Sequence, residues 1–315
     1  MKTIVSGLGL IVIDQLVFVD AHPPIDTKVF ATDHVIQIGG PVPTALAQLR
    51  RFGCSARILG SWADDIHGSA IEAHLCREGI DFDRTACRAA RATGFAHVWV
   101  ESKSGRRTVV SSPPAGQPSN AAAQGFGRQA SVLHLDGWGG DAAVIAAQAT
   151  RATGGVVFLD AGSVKPATER LLPLVTVLNV PKRFIQAFCG NEDSEAGARQ
   201  LLKLGPRIVT VTDGEHGAEI YTPELAEGVP AFPVRAVDSC GAGDAFCGGL
   251  IYAVVNGYEP VDALRFAMAT AAIKVSRVGN RESLASLDEV LRLIEEQREP
   301  RASALGSSST RSPEN

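Results

Sequence analysis

The chain has 315 residues, 45% hydrophobic and 20% charged, with 32 glycines and 17 prolines. Such an apolar fraction excludes a disordered or collagen-like chain, and a net charge of −4 supplies no footprint for nucleic acid. No apolar run approaches the roughly 18–20 residues of a membrane span, so neither nucleic acid nor membrane is an expected partner. The length favours one large domain with a smaller unit attached. Six cysteines (Cys54, Cys76, Cys87, Cys189, Cys240, Cys247) form no C-x-x-C pair, which argues against a metal knuckle and for reduced thiols. Asp14 interrupts the N-terminal apolar stretch and no A-x-A cleavage site follows, so the expected address is the cytoplasm.

Residues 4–13 read as a buried first strand, and 17–19 and 29–38 as further extended segments. A helix is predicted over 44–52, stopped by Gly53, then a strand at 56–59 and a helix at 69–77 stopped by Gly79. Residues 96–101 and 107–111 flank Lys103-Ser104-Gly105, which reads as a hairpin turn. From Val132 the rhythm becomes strand, helix, strand: 132–135, 142–150, 156–159, and later 208–212. That alternation predicts a mostly parallel sheet covered on both faces. The ribbons 17–38 and 95–111 interrupt the rhythm, and together they predict a small β-sheet that projects as a lid. Residues 304–315 lack apolar content and read as a disordered tail, leaving 1–303 as the working domain.

The chemistry concentrates in Asp238-Ser239-Cys240-Gly241-Ala242-Gly243-Asp244. Phe246, Leu250, Ile251, Val254 and Val255 then recur at helical spacing until Asn256-Gly257 ends the helix. Glycines just ahead of a helix leave consecutive N–H groups pointing at one spot, an anion site reinforced by the helix dipole. A carboxylate beside a bound phosphoryl group can orient and deprotonate an attacking hydroxyl. The same residues also serve as a plain loop with Asp244 as dipole partner. At such a helix start Asp244 is expected to be ionised without a raised pKa. Gly7-x-Gly9 lacks the third glycine of a dinucleotide fingerprint, and G-x-x-x-x-G-K-[ST], H-E-x-x-H and G-x-S-x-G do not occur.

This run resembles the D-T-x-G-A-G-D signature of the ribokinase-like (PfkB family) carbohydrate kinases, with Ser239 for the threonine. Gly39-Gly40 is similar to the family's N-terminal di-glycine, and Asp64-Asp65-Ile66-His67-Gly68 to its G-D-D-x-x-G, with Ala63 for the first glycine. The likeness runs from about residue 4 to about residue 294.

It implies an α/β fold, a three-layer α/β/α sandwich with a small β-sheet lid from about 15–38 and 95–112. It also implies an ATP- and Mg²⁺-dependent kinase acting on a small free sugar, ribose- or fructose-like. A nucleoside kinase and a catalytically silent binding protein are the alternatives.

By the resemblance Asp244 is the catalytic base, and Gly241, Ala242 and Gly243 line the anion hole. Asp14, Gly39, Gly40, Thr44 and Asp136 would hold the sugar. Thr44 stands where asparagine is usual, in a G-G-P-x-x-T-A run like that of sulfofructose kinases. No arginine stands in Asp136-Gly137-Trp138 to read a sulfonate. Thr212, Gly214 and Gly217 resemble the T-x-G-x-x-G nucleotide loop, although Asp213-Gly214 also marks a plain hairpin. Met268 would lie near the adenine. Asn191 through Glu195 resembles N-x-x-E one residue out of step, giving Asn191 to the nucleotide and Glu195 to Mg²⁺ through water; an N-cap followed by first-turn acids reads the same way. Asp238, Cys240 and Gly279 would hold a monovalent cation such as K⁺, and the lid ribbons would pair two chains into a homodimer. Arg106 and Arg107 are neighbours on a strand, so only one of them can face the sugar.

Overall fold

The apolar run 4–13 is two strands. It breaks at Gly9 into β1 (Ile4–Leu8) and β2 (Val12–Val19), which belong to different sheets. Hydropathy carries no mark of the break, because Leu8, Ile11, Val12 and Ile13 are buried on both sides of it. β3 (Asp33–Gly39) starts later than the predicted 29–38, since Val29 and Phe30 stand exposed outside the ladder. α1 (Pro41–Arg51) starts three residues ahead of Thr44. Proline is favoured in a first helical turn, where its missing N–H has no intrahelical acceptor.

The computed structural model describes residues 3–298, apart from 90, 104, 105, 113 and 280. Ser104 and Gly105 of the predicted hairpin turn, and the tail 304–315, lie outside the described residues. The chain continues through β4 (Ser55–Leu59), α2 (Ile66–Glu78), β5 (Ile80–Phe82), α3 (Arg84–Cys87), β6 (Phe95–Glu101) and β7 (Arg107–Ser111). Next come α4 (Asn120–Arg128), β8 (Val132–Leu135), α5 (Gly140–Ala152), β9 (Val156–Asp160), α6 (Thr168–Leu171) and β10 (Val177–Pro181). Then follow α7 (Lys182–Cys189), α8 (Ser194–Leu202), β11 (Ile208–Thr212), β12 (Ala218–Tyr221) and β13 (Ala226–Val229). The last helices are α9 (Ala242–Val255), α10 (Pro260–Val275) and α11 (Leu287–Arg298).

Nine strands form the main sheet in the order β13-β12-β11-β10-β9-β8-β1-β4-β5. All pairs are parallel except the antiparallel edge, where β12 joins β11 and β13 joins β12. Strand order runs one way from β1 to β4 and β5, and the other way from β8 to β11. Right-handed crossovers travelling in opposite directions put their helices on opposite faces, and the result is a three-layer α/β/α sandwich. α1, α9 and α10 pack together, and α4 packs on α5. The reversal falls between β1 and β8, and ligands of open α/β sheets bind outside the strands' C-terminal ends at that point.

The second sheet has the order β3-β2-β6-β7, with β2 and β6 parallel and an antiparallel partner on each side. The two predicted ribbons therefore join as one lid, which starts at Val12 rather than near residue 15. Leu16, Ala96 and Val98 form its own small core. All six cysteines are free. Among the described residues no helix is long and apolar enough to cross a membrane.

Candidate active site

A cavity of about 770 Å³ opens at the C-terminal ends of the strands, beside the switch point. One wall is the start of α9. Gly241 caps this helix in the left-handed conformation (φ 78°) and no side chain caps it. Its carbonyl accepts the first helical bond, from Ala245 N–H at 2.9 Å, so the amides of residues 242–244 have no intrahelical acceptor. The Ala242 N–H leans on Ser239 O at 3.3 Å, which leaves the Gly243 and Asp244 amides as the open donors of an anion hole. Gly241, Ala242, Gly243 and Asp244 all line the cavity.

Asp244 is not the unperturbed carboxylate expected from a helix start. Burial raises its pKa to about 6 against the pull of Arg281, Arg107 and Lys274. Desolvation outweighs the helix dipole here.

Two further carboxylates, Asp136 and Asp160, line the same cavity, and a third, Asp14, does not line it but lies near enough to Asp244 to feel its charge. Asp14 stands in lid strand β2, not at the end of the first strand, and burial together with the nearby Asp244 raises its pKa to about 6. A methyl group on Gly39 would overlap this carboxylate, and one on Gly40 (φ 109°) would overlap Leu10 O, so the di-glycine admits Asp14 to the site. Asp136 follows β8 and accepts the Leu10 N–H at 2.8 Å and the Trp138 N–H at 2.9 Å. Burial still lifts it to about 6. Asp160 ends β9, accepts from Asn179 Nδ2 at 3.0 Å, and burial with Asp244 nearby raises it to about 7. Sequence reasoning missed Asp160, although an acid closing a buried strand was the available signal.

Two arginines answer these acids. Arg107, on the lid, lines the cavity and lowers the pKa of Asp14 and Asp244, whereas its neighbour Arg106 pairs with Glu101 at 3.2 Å. Arg281 is buried and donates to Thr44 Oγ1 at 3.2 Å. Thr44 is wholly buried and its hydroxyl donates to Gly40 O at 3.0 Å. It does not line the cavity.

At the far end the β11–β12 hairpin turns through Gly214 (φ 56°) and Gly217 (φ 106°). Thr212, Gly214, Glu215 and His216 line the cavity, and a side chain at Gly217 would overlap Val229 O. Lys182 and Arg183, just past β10, line it too, with Lys182 Nζ 3.2 Å from Asp213.

Three expected residues are elsewhere. Asn191 Oδ1 accepts the Asp193 N–H at 2.9 Å, and Glu195 pairs with Arg199 at 3.3 Å on an exposed helix start. α7 separates both from the strand end, by about 12 Å for its eight residues. Met268 is a buried core residue of α10 and does not line the cavity. The Asp65 carboxylate accepts from Gly68 and Thr93, tying α2 to the loop before β6, so that motif serves the fold.

Residues 3–287 match the description pfkB family carbohydrate kinase. The chain belongs to this family. It is a phosphotransferase with an alcohol group as acceptor. It is 27% identical over 275 residues to an ATP-dependent ribose-1-phosphate kinase of Halopiger xanaduensis, covering 86% of this chain and 91% of that one. It is 23% identical over 305 residues to a ribokinase of Haemophilus influenzae, covering 94% and 99%. The fold resembles Arabidopsis thaliana ribokinase complexed with ribose and ATP, with a TM-score of 0.81, 23% identity, and 94% and 99% of the chains covered.

Proposed function

We propose that the protein transfers the γ-phosphoryl group of Mg²⁺–ATP to a hydroxyl of a small free sugar, ribose- or fructose-like. The observation that carries this reading is the convergence of Asp14, Asp136, Asp160 and Asp244 at the open start of α9, with Arg107, Arg281, Lys165 and Lys274 acting on them. Carboxylates paired in this way accept hydrogen bonds from a neutral polyol. Asp14 holds a sugar hydroxyl, and Asp244 orients the attacking one and takes its proton. The new oxygen–phosphorus bond forms as the bond from the γ-phosphorus to the β–γ bridging oxygen breaks and ADP leaves. The Gly243 and Asp244 amides stabilise the charge on the transferring group. Thr212 and Gly214 form the nucleotide end, with Lys182 and Arg183 beside the phosphates.

Mg²⁺ takes oxygen ligands and keeps several waters. Asp160, which lines the cavity, suits that role better than Glu195. When bound, the ion neutralises phosphate charge. Exposed Ile36, Val109 and Val110 on the lid support a homodimer through that sheet, and six free thiols suit a reducing cytoplasm.

The second reading is a phosphorylated sugar, favoured by Arg107 in the cavity. An ATP-consumption panel of free sugars, nucleosides and sugar phosphates tests both. Free pentoses or ketohexoses are expected to turn over fastest. Faster turnover of ribose 1-phosphate, fructose 6-phosphate or a nucleoside would overturn the free-sugar assignment.

A further inference from the structure

Lys274, near the end of α10, carries an ammonium group with 0% side-chain exposure. A buried charge persists only when it is paired and hydrogen-bonded. Its partners are Asp238 O at 3.0 Å and Asp238 Oδ2 at 3.2 Å. The same carboxylate accepts the Gly279 N–H at 3.0 Å through Oδ2 and the Cys240 N–H at 2.9 Å through Oδ1. The Val237 and Asp238 amides both donate to Val275 O. One ammonium thus staples the start of the Gly-rich loop to the turn after α10, just ahead of the helix whose first turn carries Asp244. Its charge also reaches Asp244 and lowers that pKa.

The oxygens that Asp238 could offer a monovalent cation are therefore already engaged by a cation. A second charge at the same carbonyl and carboxylate would meet repulsion within about 3–4 Å in a low-dielectric setting. Asp238, Cys240 and Gly279 do not fit the potassium site that the family likeness implied. We propose that Lys274 supplies the positive charge that orders the anion-hole loop, so that phosphoryl transfer by this protein needs no potassium or other monovalent cation. Lys274 is a positioning residue, and the proposal rests on the kinase reading above.

The test measures turnover of the best panel substrate in potassium, sodium and choline chloride at equal ionic strength, alongside thermal melting in each salt. Wild-type kcat and Tm are expected to be the same in all three. In Lys274→Met, kcat in choline should fall by about 10²-fold, as misplaced reacting groups cost. Ammonium or potassium ions should restore part of that loss and raise the variant's Tm, as a ligand bound to the folded state does. Potassium stimulation of the wild type would overturn the proposal. So would a variant with full kcat in choline, or a folded variant that neither ion rescues. Should Lys274→Met not fold, the wild-type salt series decides alone. A panel with no phosphorylated acceptor would instead sink the kinase reading, a result distinct from potassium-stimulated turnover.

Discussion

Among the described residues several helices open with an acid in the first turn, and of α8 and α9 only α9 lines the cavity. α8 is capped by Asp193, whose carboxylate accepts the Glu195 N–H at 2.9 Å, and Glu195 faces solvent beside Arg199. α9 opens from a left-handed glycine with no side-chain cap, and Asp244 is half-buried near three other carboxylates. A capped helix start has spent a donor on its own chain, whereas an uncapped one at a cavity keeps its donors for a ligand. The difference lies in how the first-turn amides are satisfied, and the acid itself decides little.

The largest expected effect separates the two helices outright. Asp244→Asn keeps the shape of the side chain and removes the proton acceptor, so kcat should fall by about 10²–10⁴, the usual loss for a general base. ATP and sugar binding, measured by calorimetry, should survive. Near-normal turnover would erase the distinction between the helices. Asp14→Asn tests the lid side of the acid cluster. A hydrogen bond to a charged group contributes about 1.5–3 kcal/mol, so KM for the sugar should rise about 10–100-fold while kcat changes less. An unchanged KM would remove Asp14 from the sugar site. At α8 the consequences should be structural. Asp193→Ala should cost about 1 kcal/mol of stability, read by denaturant unfolding, with kcat intact. Glu195→Gln should change neither kcat nor its magnesium dependence, because the pair it breaks is exposed. A loss of magnesium affinity there would bring α8 back into the site.

The same contrast explains what the sequence disclosed. The Gly241–Asp244 loop was legible because glycines, acid and helical period all lie within one short segment. The alternating strands and the lid ribbons were legible from local pattern too. The break at Gly9 was not, because the residues around it are buried in either sheet. Asp160, Arg281 and Lys274 reach the site from distant parts of the chain, and no local period marks them. Asn191 and Glu195 fall after α7 and outside the cavity lining; acids that cap a helix and acids that serve a metal look alike in a string of letters. Met268 was given to the nucleotide, yet an apolar residue in a buried helix more often packs the core.

The central claim is that Asp244 acts as an ionised base within a cluster of acids, and the pH dependence of kcat tests it most directly. Its carboxyl pKa is raised to about 6, so the protonated form, which cannot accept a proton, dominates below that pH. Wild-type kcat should be flat near neutrality and fall roughly tenfold per pH unit on the acid side. Asp14, Asp136 and Asp160 titrate nearby, so the limb belongs to the cluster as a whole. Asp244→Asn assigns it: the residual turnover of that variant should lose the acid limb. A wild-type kcat that stays flat well below pH 6, or a limb that persists unchanged in Asp244→Asn, would contradict the account.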